Sequence, residues 1–323
     1  MRLLVTGGAG FIGSNFIRHM LKKYPEYGVV NFDLLTYAGN TANLADVAND
    51  SRYVFVKGDV ADEAMVATVI KKHGITHIIN FAAETHVDRS IQDSAPFIHT
   101  NVVGVNSLLQ VAKNNGGLRF HHVSTDEVFG SLGSTDKAFN EKTPYDPKSP
   151  YSASKAAGDH LVRAFFNTYN LPVTISNCSN NYGPYQFPEK IHGLFITNLL
   201  AGKPVPIYGD GLQIRDWLHV QDHCEALDLI LHQGKAGETY CVGGNTEKTN
   251  LEIARTILQL LGKDDSMVEH VTDRPGHDRR YSIDSSKIKR ELGWAPRVSF
   301  EEGTKQTVEW YKNNQDWWKK LKV

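Results

Sequence analysis

The sequence predicts an α/β fold built on a doubly wound parallel sheet, followed by a smaller C-terminal α/β domain. Three observations carry this. A strand, a glycine-rich turn and a helix open the chain over 2–23. Strand and helix patterns then alternate as far as residue 176, the order that a parallel sheet with crossover helices requires. After Asn177 the alternation gives way to Gly-, Pro- and amide-rich segments between short elements. The expected division is a Rossmann-type domain over 1–177 and a substrate domain over 178–323, with some elements of the second returning to pack on the first.

The strand over 2–6 runs into Gly7-Gly8-Ala9-Gly10-Phe11-Ile12-Gly13. Strand, glycine turn and helix together are the context that makes a glycine pattern a dinucleotide site. Gly7 and Gly10 permit a tight turn and close approach of a pyrophosphate, and Gly13 lets the helix lie near the strand. The helix N-terminus then faces the negative charge. A second strand over 28–32 ends at Asp33, where a carboxylate accepts hydrogen bonds from adenosine ribose hydroxyls. Asp33 would repel the extra phosphate of NADP by about 4 kcal/mol at ~4 Å and an effective dielectric of ~20. The cofactor expected is therefore NAD.

The third strand, over 53–57, leads to Asp59, which suits either the adenine amino group or the start of a helix cap. A crossover helix is expected over 62–72, amphipathic with a basic end. The fourth strand, over 77–82, delivers the small residues Ala82 and Ala83 to a cofactor. A single long helix over 97–113 carries Thr100 and Asn101. The fifth strand, over 119–124, brings Thr125-Asp126-Glu127 to the carboxyl edge of the sheet, where ligands bind in open α/β sheets. A helix over 151–169 carries Tyr151 and Lys155, and a sixth strand is expected over 172–176. The run 180–190 is too rich in Gly, Pro and amides for a regular element. Further on, the pattern gives a strand over 203–208, helices over 222–232, 251–261 and 287–292, and a closing segment over 300–320. A basic loop is expected over 273–281.

Composition excludes several classes. The 323 residues are 41% hydrophobic, enough for a sizeable core, and the net charge of −1 gives no global pull toward nucleic acid or an anionic membrane. No apolar run has spanning length. The first residues enter a strand directly, so no leader is expected. Cys178, Cys224 and Cys241 form no C-x-x-C pair and are expected to be reduced thiols of a cytoplasmic protein. His86, His121, His122 and His219 lack metal-ligand spacing, and no metal is expected.

Thr125-Asp126-Glu127 and Tyr151-Ser152-Ala153-Ser154-Lys155 concentrate the chemistry. Tyr151 and Lys155 share one helical face at i, i+4. A nearby ammonium favours the phenolate, which then takes a proton from an alcohol as hydride leaves the same carbon. The two adjacent carboxyls are a second acid/base pair that an alcohol oxidation does not need. Neighbouring carboxyls push their proton affinities apart, so one can serve as acid and the other as base. The small residues Ala153, Ala156, Ala157 and Gly158 suit close packing, including against a second subunit.

These residues resemble the extended short-chain dehydrogenase/reductases, and within them the dTDP-glucose 4,6-dehydratases, over nearly the whole chain. The specific matches are Asp33 with Leu35-Thr36-Tyr37-Ala38-Gly39-Asn40, the run Ala83 to Ser90, Ser124 to Gly130, Asn180 to Lys190, Arg215-Asp216-Trp217 and Asp273 to Tyr281. Thr85 stands where many members have serine, and His192-Gly193 where an Ile-Pro pair is commoner, which places the loop over the nucleotide in question. The resemblance implies C4 oxidation with Tyr151 as base, C5 deprotonation by Glu127, protonation of the departing C6 hydroxyl by Asp126, and hydride return to C6. It implies that Thr125 binds the C4 oxygen and Lys155 the nicotinamide ribose. It further implies cofactor contacts from Phe11, Ile12, Leu34, Leu35, Thr36, Val60, Phe81, Ser124 and Asn181. Substrate contacts would come from Thr85, Asn180, Lys190, Pro206, Ile207, Tyr208, Arg215, Asn250, Arg274 and His277. A homodimer through the 97–113 and 151–169 helices is also implied. The rivals are a UDP-glucose 4,6-dehydratase, a 4-epimerase or decarboxylase, which need no acid/base pair aimed at C5 and C6, and a non-catalytic NAD sensor.

Overall fold

The computed structural model describes residues 1–273 and 277–322. Seven strands form one parallel sheet in the order β10-β6-β5-β4-β1-β2-β3. They are β1 (Arg2–Thr6), β2 (Gly28–Asp33), β3 (Tyr53–Lys57), β4 (His77–Asn80), β5 (Arg119–Thr125), β6 (Val173–Cys178) and β10 (Thr239–Val242). The chain builds outward from β1 in one direction through β3, then restarts at β4 and builds the other way. The strand order therefore reverses between β1 and β4. A crevice opens at the carboxyl ends there, the usual ligand position of such sheets.

Alternation along each strand sorts side chains to two faces. Leu4 and Ile78 pack with Val66, Val69 and Ile70 of helix Glu63–His73, with Leu108 and Leu109 of helix Val105–Asn114, and with Val162 and Phe165 of helix Pro150–Tyr169. Their neighbours Leu3, Val5 and Ile79 face the other way, onto Phe16, Ile17 and Met20 of helix Phe11–Lys23 and Val220, Leu227 and Leu231 of helix Val220–Gln233. Both faces are thus covered, as a parallel sheet requires.

The helix ends are chemically specified. Asp62 accepts from the Met65 amide, which places it outside helix Glu63–His73 as its cap, and Gly74 ends that helix in the left-handed region. Ser149 and Ser152 form a reciprocal capping box with Pro150 as first helical residue, so Tyr151 is held in the first turn.

Several elements differ from the sequence expectation. The single helix expected over 97–113 is helix Ala95–Ile98, a π-helical stretch His99–Gly104 and helix Val105–Asn114. The π turn lets Asn101 hold Glu84 through both backbone groups (3.0 Å each) while donating to Ser154 Oγ at 2.9 Å. The run after residue 180 does contain a regular element, β7 (Asn180–Tyr182), because β9 (Ile214–His219) lies parallel to it. β11 (Glu247–Thr249) completes that three-stranded sheet, and β8 (Val205–Tyr208) pairs with β12 (Val268–Val271). The seventh strand of the main sheet, β10, has no counterpart in the sequence reading.

A second apolar cluster gathers Phe195, Ile196 and Leu199 of helix Ile191–Leu200, Ile253 and Ile257 of helix Asn250–Leu260, and Phe300, Val308 and Tyr311 of helix Phe300–Asn313. His192 lies in this cluster, stacked on Tyr182 at 4.7 Å and against Trp217 at 4.7 Å. A Cβ on Gly193 would meet the Tyr311 hydroxyl at 2.6 Å. The His192-Gly193 departure therefore serves packing beneath the loop, and neither residue lines the cleft.

Candidate active site

A cleft of about 490 Å³ runs along the carboxyl edge of the main sheet and is closed on its far side by segments after residue 178. Its first part is built on the glycine turn. Gly7 has φ +67°, and a Cβ there would meet the Ala82 amide nitrogen at 2.6 Å. A Cβ on Gly13 would meet the Gly7 carbonyl at 2.5 Å, so the helix lies directly on the turn. Gly10 caps helix Phe11–Lys23 without any side-chain bond, which leaves its first amides to an anion.

Asp33 ends β2 at the cleft. Its oxygens accept from the Ala9 amide at 2.9 Å and the Leu35 amide at 2.8 Å, and burial raises its pKa against those two bonds. The carboxylate therefore organises the turn at the edge of the cleft. Leu35 itself does not line the cleft; it sits at φ +59° and serves through its amide. Asp59 lines the cleft but spends its oxygens on the Ala61 amide and His99 Nε2, both at 2.9 Å. Burial pushes its pKa up, and those bonds outweigh it to give a lowered value.

The remaining expected cofactor residues converge on the same cleft: Phe11, Ile12, Leu34, Thr36, Val60, Phe81, Ala82, Ala83, Thr100, Ser124 and Asn181. The Asn181 amide is already committed, donating to Ser179 O at 3.0 Å, while its oxygen pairs with His223 Nδ1 at 2.9 Å. Along one wall, Tyr37 donates to Glu189 at 3.0 Å beneath the Arg89 guanidinium, 3.8 Å from its ring centre. This ties the loops around residues 37, 89 and 189 together.

The reactive groups meet at the end of β5. Thr125 caps the 3-10 turn Asp126–Phe129, its Oγ1 accepting from the Glu127 amide at 3.3 Å and donating to Asp126 Oδ1 at 3.2 Å. Asp126 is 2% exposed, and its Oδ2 is buried without a partner. Burial, then the charges of Glu127 and Asp216, hold its pKa well above the usual carboxylate range. Glu127 is partly exposed on the same turn and lines the cleft.

Tyr151 and Lys155 line the same cleft as this turn. Burial, then Glu127, raises the phenol well above its ordinary value. Lys155 donates to Val123 O at 2.8 Å, and burial lowers its pKa. Desolvation is thus the largest influence on both groups. Gly158 packs inside the chain, where a Cβ would meet Asn101 O at 2.8 Å.

Of the expected substrate residues, Thr85, Asn180, Lys190, Pro206, Ile207, Tyr208, Arg215, Asn250 and His277 line the cleft, and Arg274 lies outside the described residues. Asn180 Oδ1 is buried without a hydrogen-bond partner. Lys190 donates to Thr85 O at 3.1 Å. Arg215 donates to Asp278 O at 2.9 Å with its guanidinium 4.2 Å from the Tyr281 ring. Cys178 also lines the cleft; burial pushes its thiol up to about 12, so it is no nucleophile. Tyr281, Cys178, Glu84 and Glu189 were not singled out from sequence. Their contacts to the cleft are long-range, and no local spacing marks them. Among the described residues no group of His, Cys, Asp and Glu is arranged to hold a metal ion.

A doubly wound sheet with a glycine turn at its switch point and a Tyr-x-x-x-Lys helix beside the fifth strand defines an extended short-chain dehydrogenase/reductase. The model of the GDP-mannose 4,6-dehydratase family matches residues 4–307, and the chain belongs to that family. The dTDP-glucose 4,6-dehydratase of Xanthomonas campestris pv. campestris is 54% identical, over 97% of this chain and 94% of its own length. That of Salmonella typhimurium is 51% identical, over 98% and 94%. The crystal structure of the dTDP-glucose 4,6-dehydratase of Streptomyces venezuelae with NAD bound has a TM-score of 0.96 and 52% identity, covering 100% of both chains. The UDP-glucose 4-epimerase of Thermotoga maritima is similar at 30% identity and a TM-score of 0.90, covering 98% of this chain and 100% of its own.

Proposed function

We propose that the chain is a dTDP-glucose 4,6-dehydratase, a hydro-lyase that converts dTDP-glucose to dTDP-4-keto-6-deoxyglucose and carries its own NAD. The observation that carries this reading is the Asp126-Glu127 pair beside Tyr151, one buried acid and one partly exposed carboxyl on a single turn. A simple alcohol oxidation has no use for it.

The chain fits NAD. The Gly7 to Gly13 turn, whose space a Cβ would fill, cradles the pyrophosphate, Asp33 takes the adenosine ribose, and Lys155 takes the nicotinamide ribose. When bound, NAD supplies the oxidising equivalent at C4 and its return at C6. Tyr151 accepts the C4 hydroxyl proton, and Thr125, lining the same cleft, is placed for the C4 oxygen. The C4 ketone acidifies the C5 proton, which Glu127 removes, and C5 takes a proton back when hydride has returned to C6. Asp126 gives its proton to the departing C6 oxygen, since an acid buried beside another carboxyl is held protonated for that purpose. Asn180, Arg215, Asn250 and His277 receive the nucleoside diphosphate, where a guanidinium suits phosphate geometry.

A homodimer and a cytoplasmic location complete the reading. Support for the first comes from exposed Ile91, Ile98 and Val103 on the segments packed against helix Pro150–Tyr169. Support for the second comes from three buried, free thiols. Among the described residues no helix is long and apolar enough to cross a membrane.

The test is the mass of the product after purified protein meets dTDP-glucose without added cofactor. Loss of one water is expected. Unchanged mass, with or without added NAD, would contradict the dehydratase and favour a 4-epimerase.

A further inference from the structure

Asp159 follows Lys155 by one helical turn on the same face. It is 0% exposed and does not line the cleft, so it touches neither substrate nor cofactor. Its Oδ2 accepts from Tyr145 Oη at 2.7 Å, Ser124 Oγ at 3.0 Å and Asn177 Nδ2 at 3.2 Å. Its Oδ1 accepts no hydrogen bond and lies 3.5 Å from His122 Nε2. A carboxyl this deep needs a compensating charge.

The titratable and charged groups around it come from each neighbouring element. Lys155 and Arg163 share its helix, and His122 projects from β5. Cys178 of β6 faces Lys155. Tyr145 comes from the preceding loop, with His160 against its ring at 5.4 Å. His122 is kept neutral by burial and by Lys155. Arg163 donates to Tyr145 Oη at 2.7 Å, and its guanidinium lies 4.7 Å from that ring centre. A path therefore runs from Arg163 through Tyr145 to Asp159, and His122 Nε2, 3.5 Å from Asp159 Oδ1 and 3.4 Å from Lys155 Nζ, lies between Asp159 and Lys155. Asn177 joins the same path to the reactive turn by donating to Thr125 O at 3.1 Å.

We propose that Asp159 is the counter-charge that keeps Lys155 an ammonium next to Tyr151, and so is a positioning residue for proton transfer at C4. This rests on the dehydratase reading. Lys155 is 4% exposed, and a lysine buried that deeply without a counter-charge gives up its proton readily. Asp159 is the first of the groups that oppose this. A neutral Lys155 would neither favour the phenolate nor act as a cation at the ribose.

The test compares wild type with Asp159→Asn and Tyr145→Phe, each purified with its bound NAD. Two quantities are read against pH: the single-turnover rate of C4 oxidation of dTDP-glucose, and ionisation of the Tyr151 phenol, from tyrosinate absorbance with Tyr151→Phe subtracted. In Asp159→Asn the alkaline limb of the rate moves down by about one pH unit and the phenol titrates higher by a similar step, a tenfold change in either ionised fraction. Tyr145→Phe shifts both in the same direction but less, because Ser124 and Asn177 still hold Asp159, and it decides the matter if Asp159→Asn does not fold. Profiles that superimpose on wild type while only thermal stability falls would overturn the proposal. Should wild type fail to turn over dTDP-glucose, the dehydratase reading fails, and the phenol titration still decides the role of Asp159.

Discussion

Asp126 and Asp228 are buried alike, at 2% and 1% exposure, yet they are opposite kinds of carboxyl. Asp228, on helix Val220–Gln233, meets His19 Nε2 at 2.8 Å, Lys23 Nζ at 2.7 Å, Tyr24 Oη at 2.9 Å and His232 Nδ1 at 2.9 Å. Burial would raise its pKa, but these four partners hold it well below the usual carboxylate range. Asp126 has one bonded oxygen, one orphaned oxygen and two neighbouring carboxylates, and its pKa moves the other way. Depth alone thus sets neither charge state; the partners do. The cluster at Asp228 fastens helix Phe11–Lys23 to helix Val220–Gln233 and so stabilises. The unsatisfied carboxyl at the cleft is instead biased toward its protonated form, which suits the proton donor proposed for it.

The strongest way to break the contrast is at the reactive end. Glu127→Gln should still oxidise C4, seen as absorbance of the reduced cofactor, while water loss falls by about 10²–10⁴-fold. Normal turnover by that variant would remove Glu127 from its role as C5 base. Asp126→Asn should lose elimination to a similar extent. In wild type, elimination should fade on the alkaline side, as pH rises through the elevated pKa of Asp126.

At the stabilising end, Asp228→Asn should cost about 2 kcal/mol at neutral pH, the worth of bonds to a charged group, with catalysis intact. Asp228 has a depressed folded pKa. Its contribution is complete above the unfolded value of about 3.9 and is lost only as pH falls through the folded one. His232 has a raised folded pKa, chiefly through Asp228. Its contribution is complete below about 6.5 and fades as pH rises through the folded value. Urea unfolding of wild type and variant should therefore differ most in mildly acidic buffer and less in alkaline buffer. An equal gap at both would leave His232 out of the cluster's energetics.

The smallest expected effect comes from the scaffold between the two. Ser149→Ala removes the capping box of helix Pro150–Tyr169 and should cost about 1 kcal/mol in thermal unfolding. The shape of the rate profile against pH should stay unchanged. A changed profile would mean that the cap also positions Tyr151.

What was legible in the sequence was local. The glycine turn between strand and helix, the Tyr151–Lys155 spacing and the adjacent Asp126-Glu127 all announce their geometry within a few residues. Alternation of strands and helices fixed the first six strands of the sheet. β10 was missed because four residues carry no period of their own; what makes Thr239–Val242 a strand is the free edge of β6. The short β7 was missed for the same reason, since β9 supplies its partner. The Asp228 cluster joins residues about two hundred positions apart, which no spacing reveals. Asp159 had a visible signal, one turn past Lys155, but its meaning depends on Tyr145 and His122 arriving from elsewhere. The opposed desolvation of Tyr151 and Lys155 needed the burial of each to be known.

The most direct test of the account is the protonation state of Asp126 at neutral pH. Infrared difference spectra between the NAD-loaded wild type and Asp126→Asn should show the carbonyl stretch of a protonated carboxylic acid, disappearing only in alkaline buffer. A carboxylate band alone at neutral pH would mean that Asp126 is already ionised. It would then have no proton to give the departing C6 oxygen, and the division of labour between Asp126 and Glu127 would be wrong.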